Sequence, residues 1–240
     1  MSLKELRSDL GKFADAEKAK TLQNFFKTGK GEYGEGDVFI GVTVPQARAV
    51  AKKHSGIRLW EVEELLKSPV HEERLLAALI LVEKFEGAER ERVADFYLRN
   101  ARRFNNWDLV DLSAYKILGE WVMVSRDSSI LYRLARSPDL WERRISIIST
   151  FAFIRRGVYG DTLRIAEMLL GDGHDLMHKA VGWMLREVGK RDEKALEGFL
   201  DRHAADMPRT ALRYAVERLP GAKRKKYMGR RARYNNPGKA

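Results

Sequence analysis

Three stretches of this chain repeat one helical pattern at fixed separations, and that repeat limits the possible folds more than any other feature. LLKSPVHEERLLAALILVEKF begins at residue 65, LARSPDLWERRISIISTFAFI at 134 and LLGDGHDLMHKAVGWMLREVG at 169. The second and third align without a gap at an offset of 35 residues, and the first lies 69 residues before the second, about two such units. LRNARRFNNWDLVDLSAYKILGEW, from residue 98, fills the missing unit. A period of this length with two helices per unit leaves each unit an apolar face that only its neighbours can cover. The expected fold is therefore all-α: an α-solenoid of HEAT-like helical repeats with a concave basic groove.

The rest of the chain agrees. Amphipathic patterns place helices near 3–27, 44–54, 58–67, 71–86, 88–103, 106–122, 127–136, 139–156, 160–170, 175–190, 192–204 and 207–218. Breakers separate them at Gly87, Ser137-Pro138, Gly157, Gly171 to Gly173 and Pro220-Gly221. VFIGVTV (38–44) is the only β-branched run, and it leads straight into Pro45. One repeat domain is expected over 1–220, followed by a flexible basic tail over 221–240.

Charge sets that tail apart. Of the formal net charge of +11, eight positive charges lie from Lys223 onward with no acid among them, leaving +3 for the body. Such a run is a polyanion-binding arm, a solvated end, or both. Lys223, Arg224, Lys225, Lys226, Arg230 and Arg231 are its candidate polyanion contacts. The chain has no cysteine, which excludes disulfides, thiolate metal sites and cysteine nucleophiles, and fits a reducing cytoplasm. MSLKELRSDL has no apolar signal core, and the longest apolar run, LLAALILV (75–82), is too short to span a bilayer. A cytoplasmic, nucleoid-associated protein without a membrane partner is expected, and the charged first helix suits a monomer.

Near the start of the second helix of successive units stand Arg74, Asp111, Arg144 and Lys179, at spacings of 37, 33 and 35 residues. This register predicts a polar ladder along one wall of the groove. Trp107 stands four residues before Asp111, Trp141 three before Arg144 and Trp183 four after Lys179, so ring and charge share a helix face. Alternating charge and aromatic surface suits a nucleic-acid backbone and an exposed sugar or base. Arg74, Trp141, Arg143 and Lys179 are the groove candidates for nucleic-acid contact. Each feature also has a plainer reading. Trp107 and Trp183 can be core, although Gly182 before Trp183 permits a close neighbour, helix or ligand. Arg143 and Arg144 can be a surface pair. Asp108 fits the start of a helix capped by Asn105 or Asn106. Asp111 lies beyond the first turn among apolar neighbours, so it is either paired with a base such as Arg144 or used in function.

No metal site is assigned. His174 and His178 have ligand spacing, but the surrounding aspartates read as loop and cap residues. His54, His71 and His203 are scattered. GEYGEGD (31–37) lacks the preceding strand and the GKS or GKT ending of a phosphate loop, and reads as a surface connection.

NNWDLVD (105–111), WERR (141–144), KAVGWMLREVGKRD (179–192) and FIGVTVP (39–45) together resemble the AlkD-type DNA alkylation repair enzymes, from about residue 20 to about 218. The resemblance implies a glycosylase that cuts the N-glycosidic bond of cationic N3- and N7-alkylated purines, such as 3-methyladenine and 7-methylguanine, in double-stranded DNA, with no cofactor. It implies Asp111 as the catalytic aspartate, Trp107 as its neighbouring aromatic, Arg144 as the DNA-contacting arginine and Trp183 as the second groove tryptophan. Tyr33 and Thr43 are candidates for the N-terminal wall. The rival expectation is a non-catalytic solenoid scaffold for nucleic acid or protein. A carboxylate among basic groove residues argues against it, because it would repel phosphate.

Overall fold

The computed structural model describes residues 2–87 and 89–229, which divide into two compact units, one up to Ser113 and one from Ala114. Among the described residues all regular structure is helical, apart from one isolated parallel bridge between Val38 and Val70.

In the first unit, helices α1 (Leu3–Gly11) and α2 (Ala16–Phe25) replace the single helix expected over 3–27. The break has a local cause. The Asp15 side chain caps α2 by accepting from the amides of Glu17 and Lys18, and its own N–H goes to Ile40 O at 2.9 Å instead of continuing α1. After α2 the chain runs through the glycine-rich stretch and the extended VFIGVTV segment. Gly41 there has φ +86, and a Cβ on it would lie 2.0 Å from Asp15 O, so only glycine lets the segment pass so close to the α2 cap. The β-branched run forms no strand. The Glu72 carboxylate takes the amides of Ile40, Gly41 and Val42 that a partner strand would have taken. Pro45 then opens α3 (Val44–Lys53), where Gln46 Oε1 accepts from Thr43 N and Oγ1 at 2.9 and 2.7 Å.

Helix α4 (Leu59–Leu66) precedes α5 (His71–Glu86), the axis of the first unit. LLAALILV is buried along its whole length, because α3, α4, α6 (Arg90–Arg99) and α7 (Trp107–Ser113) pack around it. A helix apolar on every side is what such a central position requires.

The second unit opens with a π-helical turn, Tyr115–Gly119, then α8 (Glu120–Ser125), α9 (Ser129–Ala135), α10 (Leu140–Ser149), α11 (Phe151–Ile154), α12 (Gly160–Met168), α13 (Asp175–Gly189), α14 (Glu193–His203), α15 (Arg209–Ala215) and α16 (Gly221–Met228). Helix α13 is its axis, packed by α10, α12, α14 and α15. Gly182 serves a neighbouring helix: a Cβ there would meet Ala211 O of α15 at 2.5 Å. The starts of α5, α10 and α13, at His71, Leu140 and Asp175, are separated by 69 and 35 residues, the same offsets as the sequence repeat.

The expected flexible tail is corrected over its first eight residues. Residues 221–228 form α16, with Tyr227 buried, Lys223 paired with Glu193 and Glu197, and Lys226 paired with Asp201 at 3.2 Å. A buried aromatic and three acids from α14 hold the segment down. Arg230 and Arg231 lie outside the described residues.

Candidate active site

The site builds outward from the first turn of α7. Asn106 is fully buried; its Oδ1 accepts the Trp107 N–H at 2.8 Å and its Nδ2 donates to Asp37 Oδ2 at 3.4 Å. Of the two expected cap residues, it is Asn106 that binds the start of the helix. Asp108, in the first turn, reaches His71 Nε2 at 2.8 Å. His71 Nδ1 reaches Asp37 Oδ2 at 3.2 Å, and Asp37 Oδ1 lies 2.6 Å from Arg74 Nη2. The chain Arg74–Asp37–His71–Asp108 thus joins the 37–43 segment, α5 and α7 through charged groups that are almost wholly buried.

Electrostatics fix the protonation of that chain. Burial pulls His71 towards the neutral form, but hydrogen bonds to Asp108 and Asp37 outweigh it and lift its pKa to about 9. Burial likewise opposes ionisation of Asp37, yet the His71 hydrogen bond and the Arg74 charge hold its pKa below the usual carboxylate range. At neutral pH His71 is an imidazolium donating from both nitrogens. Its ring stacks on Phe39 at 4.4 Å and lies 5.0 Å from Phe26.

Phe26 carries the arrangement to Trp107. It stacks on Phe39 at 5.0 Å and on Trp107 at 5.1 Å, with interplanar angles of 18° and 20°. Trp107 is half-buried; its indole N–H donates to Tyr33 Oη at 3.3 Å, and Phe25 meets it edge-on at 5.9 Å. Phe25 itself is 61% exposed. Asp111 stands one turn beyond Trp107 on α7, half-buried. Its charge reaches the buried Tyr97 phenol, adding to the effect of burial in raising that group's pKa. Beside the site, a cavity of 320 Å³ is lined by Leu22, Phe26, Phe39, Val42, Leu75 and Asp108, among others. Thr43, the second candidate for this wall, also borders it.

The ladder of open charges needs correction. Arg74 is 4% exposed, ion-paired with Asp37, and donates to Ser68 O at 2.7 Å, so it presents no cation to a phosphate. It also stands off the register of the other three. Asp111, Arg144 and Lys179 each stand four residues after the first residue of their helix, whereas Arg74 stands three after His71. One residue is about 100° of rotation, and the equivalent position in α5 is Leu75. Trp141, one residue into α10, is likewise turned inward and 7% exposed, unlike Trp107 at the first position of α7. Arg143 is tied to Asp172 at 2.6 Å and to Ser137 O and Pro138 O, which fastens it to its own unit. Lys179 is partly exposed and pairs with Asp175 at 2.8 Å. Arg144 is 4% exposed, with Nη1 donating to Leu176 O at 2.5 Å. Trp183 is half-buried, 6.1 Å from Phe151. Trp107, Asp111, Tyr33 and Thr43 therefore belong to the first unit, and Arg144, Lys179 and Trp183 to the second.

The two histidines with ligand spacing have structural roles. His174 caps α13 by accepting from Leu176 N, and His178 Nε2 bonds the carbonyl of Asp172. Sequence reasoning passed over His71, Asp37, Phe25 and Phe26. The doublet Phe25-Phe26 at the end of α2 was the available signal, since one ring is buried and its neighbour exposed; nothing local marks Asp37 and His71 as partners.

A family model described as DNA alkylation repair enzyme matches residues 6–219. The chain belongs to the DNA alkylation repair enzyme family. Among solved structures, a chain described as "Predicted DNA alkylation repair enzyme from Enterococcus faecalis" superposes with a TM-score of 0.70 at 18% identity, covering 87% of this chain and 97% of that one. At that identity the likeness is one of fold, and it agrees with the helical-repeat class read from the sequence. No curated protein matches. In this family member Trp107, Asp111, Arg144 and Trp183 all fall within the matched span.

Proposed function

We propose that this repair-family member is a DNA glycosylase that hydrolyses the N-glycosidic bond of cationic N3- and N7-alkylated purines in double-stranded DNA. The observation that carries the reading is Asp111 one helical turn from a half-buried Trp107, on a helix whose first turn is anchored by buried charges.

Alkylation at N3 or N7 makes the purine a cation, and hence a good leaving group that needs little acid assistance. As C1′–N9 breaks, the bonding pair goes to the base and neutralises it, while positive charge develops on the sugar. Asp111 opposes that charge and orients the water that adds to C1′; the water's proton leaves to the carboxylate or to solvent. The products are a neutral alkylated base and an abasic site. Trp107 offers a π face to the cationic lesion or its sugar, with Phe25 and Tyr33 beside it. In the second unit, Trp183 is proposed as an aromatic DNA contact and Arg144 as a phosphate contact. Because Arg144 is buried and donates to Leu176, its guanidinium must swing outward when DNA binds. The chemistry calls for no metal or organic cofactor.

The test is a duplex with a single 7-methylguanine, incubated with wild type and with Asp111→Asn, followed by alkali and a count of strand breaks. Wild type should cut, and the variant should be slower by about 100-fold with DNA affinity retained. Equal cutting by both would discard Asp111 as the catalytic carboxylate. Tight binding without breaks from either protein would favour a non-catalytic DNA-binding scaffold.

A further inference from the structure

We propose that His71 is a positioning residue for the α7 site: its ring, donating to Asp108 and Asp37 at once, sets where Trp107 and Asp111 stand. This rests on the glycosylase reading above.

Two independent routes run from His71 to the site. The first is polar. His71 Nε2 holds Asp108, which follows Trp107 directly and precedes Asp111 by three residues on the same short helix. His71 Nδ1 holds Asp37, which also receives Asn106 Nδ2, and Asn106 in turn accepts the Trp107 amide. The second route is aromatic. The His71 ring lies against Phe39 and Phe26, and the Phe26 ring stacks on Trp107. His71 is 2% exposed, so it acts on DNA only through these neighbours.

The clamp needs the imidazolium. A neutral imidazole has one N–H, so its other nitrogen would set a lone pair against a carboxylate of Asp37 or Asp108. The charged groups that face the ring or border its cavity are engaged with partners. Asp108 faces it from α7 and Asp37 from the connecting segment. Arg74, from α5, is spent on Asp37; Glu72, also on α5, is spent on the amides of Ile40, Gly41 and Val42. Lys18, from α2, borders the same cavity and pairs with Asp15 at 2.9 Å. Because that cavity is lined by both His71 and Asp108, water can reach the clamp and take the proton without unfolding the unit. Deprotonation would leave Asp108 without its cationic partner and release the first turn of α7.

The experiment measures single-turnover excision of 7-methylguanine from duplex DNA between pH 6 and pH 10, for wild type, His71→Gln and Asp108→Asn. DNA affinity and thermal melting are measured in parallel. A displaced reacting group costs about 10- to 100-fold in rate, so each variant should lose that much while its DNA affinity stays within about threefold. Wild type should lose activity as pH rises through about 9, and His71→Gln should be slow throughout and lack that limb. In wild type, the imidazole ¹⁵N resonances of His71 should show both nitrogens protonated at neutral pH; this needs no variant to fold. A folded His71→Gln that excises at the wild-type rate with the same alkaline limb, or a neutral His71 ring at pH 7, would overturn the inference. Wild type that excises nothing at any pH defeats the glycosylase reading instead, a result distinct from either of these.

Discussion

At the scale of single residues, register alone does not decide which side chains of a repeat helix are open: Arg74, off register, and Arg144, in register, are both 4% exposed. Sequence spacing found Asp111, Arg144 and Lys179 at one helical position, but it also admitted Arg74, which stands one residue off that register relative to its helix start. The spacings of 37 and 33 residues around Asp111 concealed the error, because loop lengths between units vary by a few residues. Only the helix starts reveal it. His71 was illegible for another reason: its partners Asp37 and Asp108 lie 34 and 37 residues away, and no periodicity links a loop acid to a helix histidine. Its ionisation has a consequence for stability that is separate from catalysis. The folded pKa of about 9 lies above the unfolded value of 6.5, so the stabilisation is complete below about pH 6.5 and is lost as pH rises through 9. His71→Gln should therefore be less stable than wild type by on the order of 1–3 kcal/mol at pH 6, and the gap should close towards pH 10. Denaturant melts at both pH values check this; a gap that stays constant would mean that His71 is not charged in the fold.

At the scale of elements, the strongly periodic helices were legible and the ends of the chain were not. Helix α5 was placed to the residue, because a long apolar run has few alternatives once it must be covered on all sides. The expected helix over 3–27 became two, since Asp15 competes for the backbone amides of Glu17 and Lys18 through its side chain. Helix α16 was hidden by its charge: four consecutive basic residues read as solvated, while the buried Tyr227 and the acids of α14 that receive them are visible only in three dimensions. Close packing of α15 on α13 supplies a test at this scale. Gly182→Ala would gain about 1 kcal/mol of helix propensity. The new Cβ, however, would stand 2.5 Å from the backbone oxygen of Ala211 and 2.6 Å from Tyr214 Cβ, neither of which can swing aside like a side-chain tip. Overpacking of about 1–3 kcal/mol should win, so the variant should melt lower than wild type by thermal denaturation. An unchanged or raised melting temperature would show that α15 shifts freely on α13.

At the scale of the whole molecule, charge and fold point to different parts of the chain. The family match spans residues 6–219, while most of the excess positive charge begins at Lys223. Basic residues there are not equivalent. Lys223 and Lys226 face Glu193, Glu197 and Asp201 within the second unit, whereas Arg224 and Lys225 point to solvent. Each phosphate contact releases counterions and adds about 0.9 to the slope of log affinity against log salt. If α16 reads the DNA backbone, replacing Arg224 and Lys225 together by glutamine should make that slope shallower by about 1.8, with little change in melting temperature. Replacing Lys223 and Lys226 should do the reverse, lowering the melting temperature by loosening α16 from α14 and changing the slope less. Duplex binding titrated between about 50 and 200 mM salt separates the two pairs. An identical slope for wild type and the Arg224/Lys225 variant would remove α16 from the DNA interface and leave binding to the family-matched body, where the rate effects predicted for Asp111 and His71 would stand unaltered.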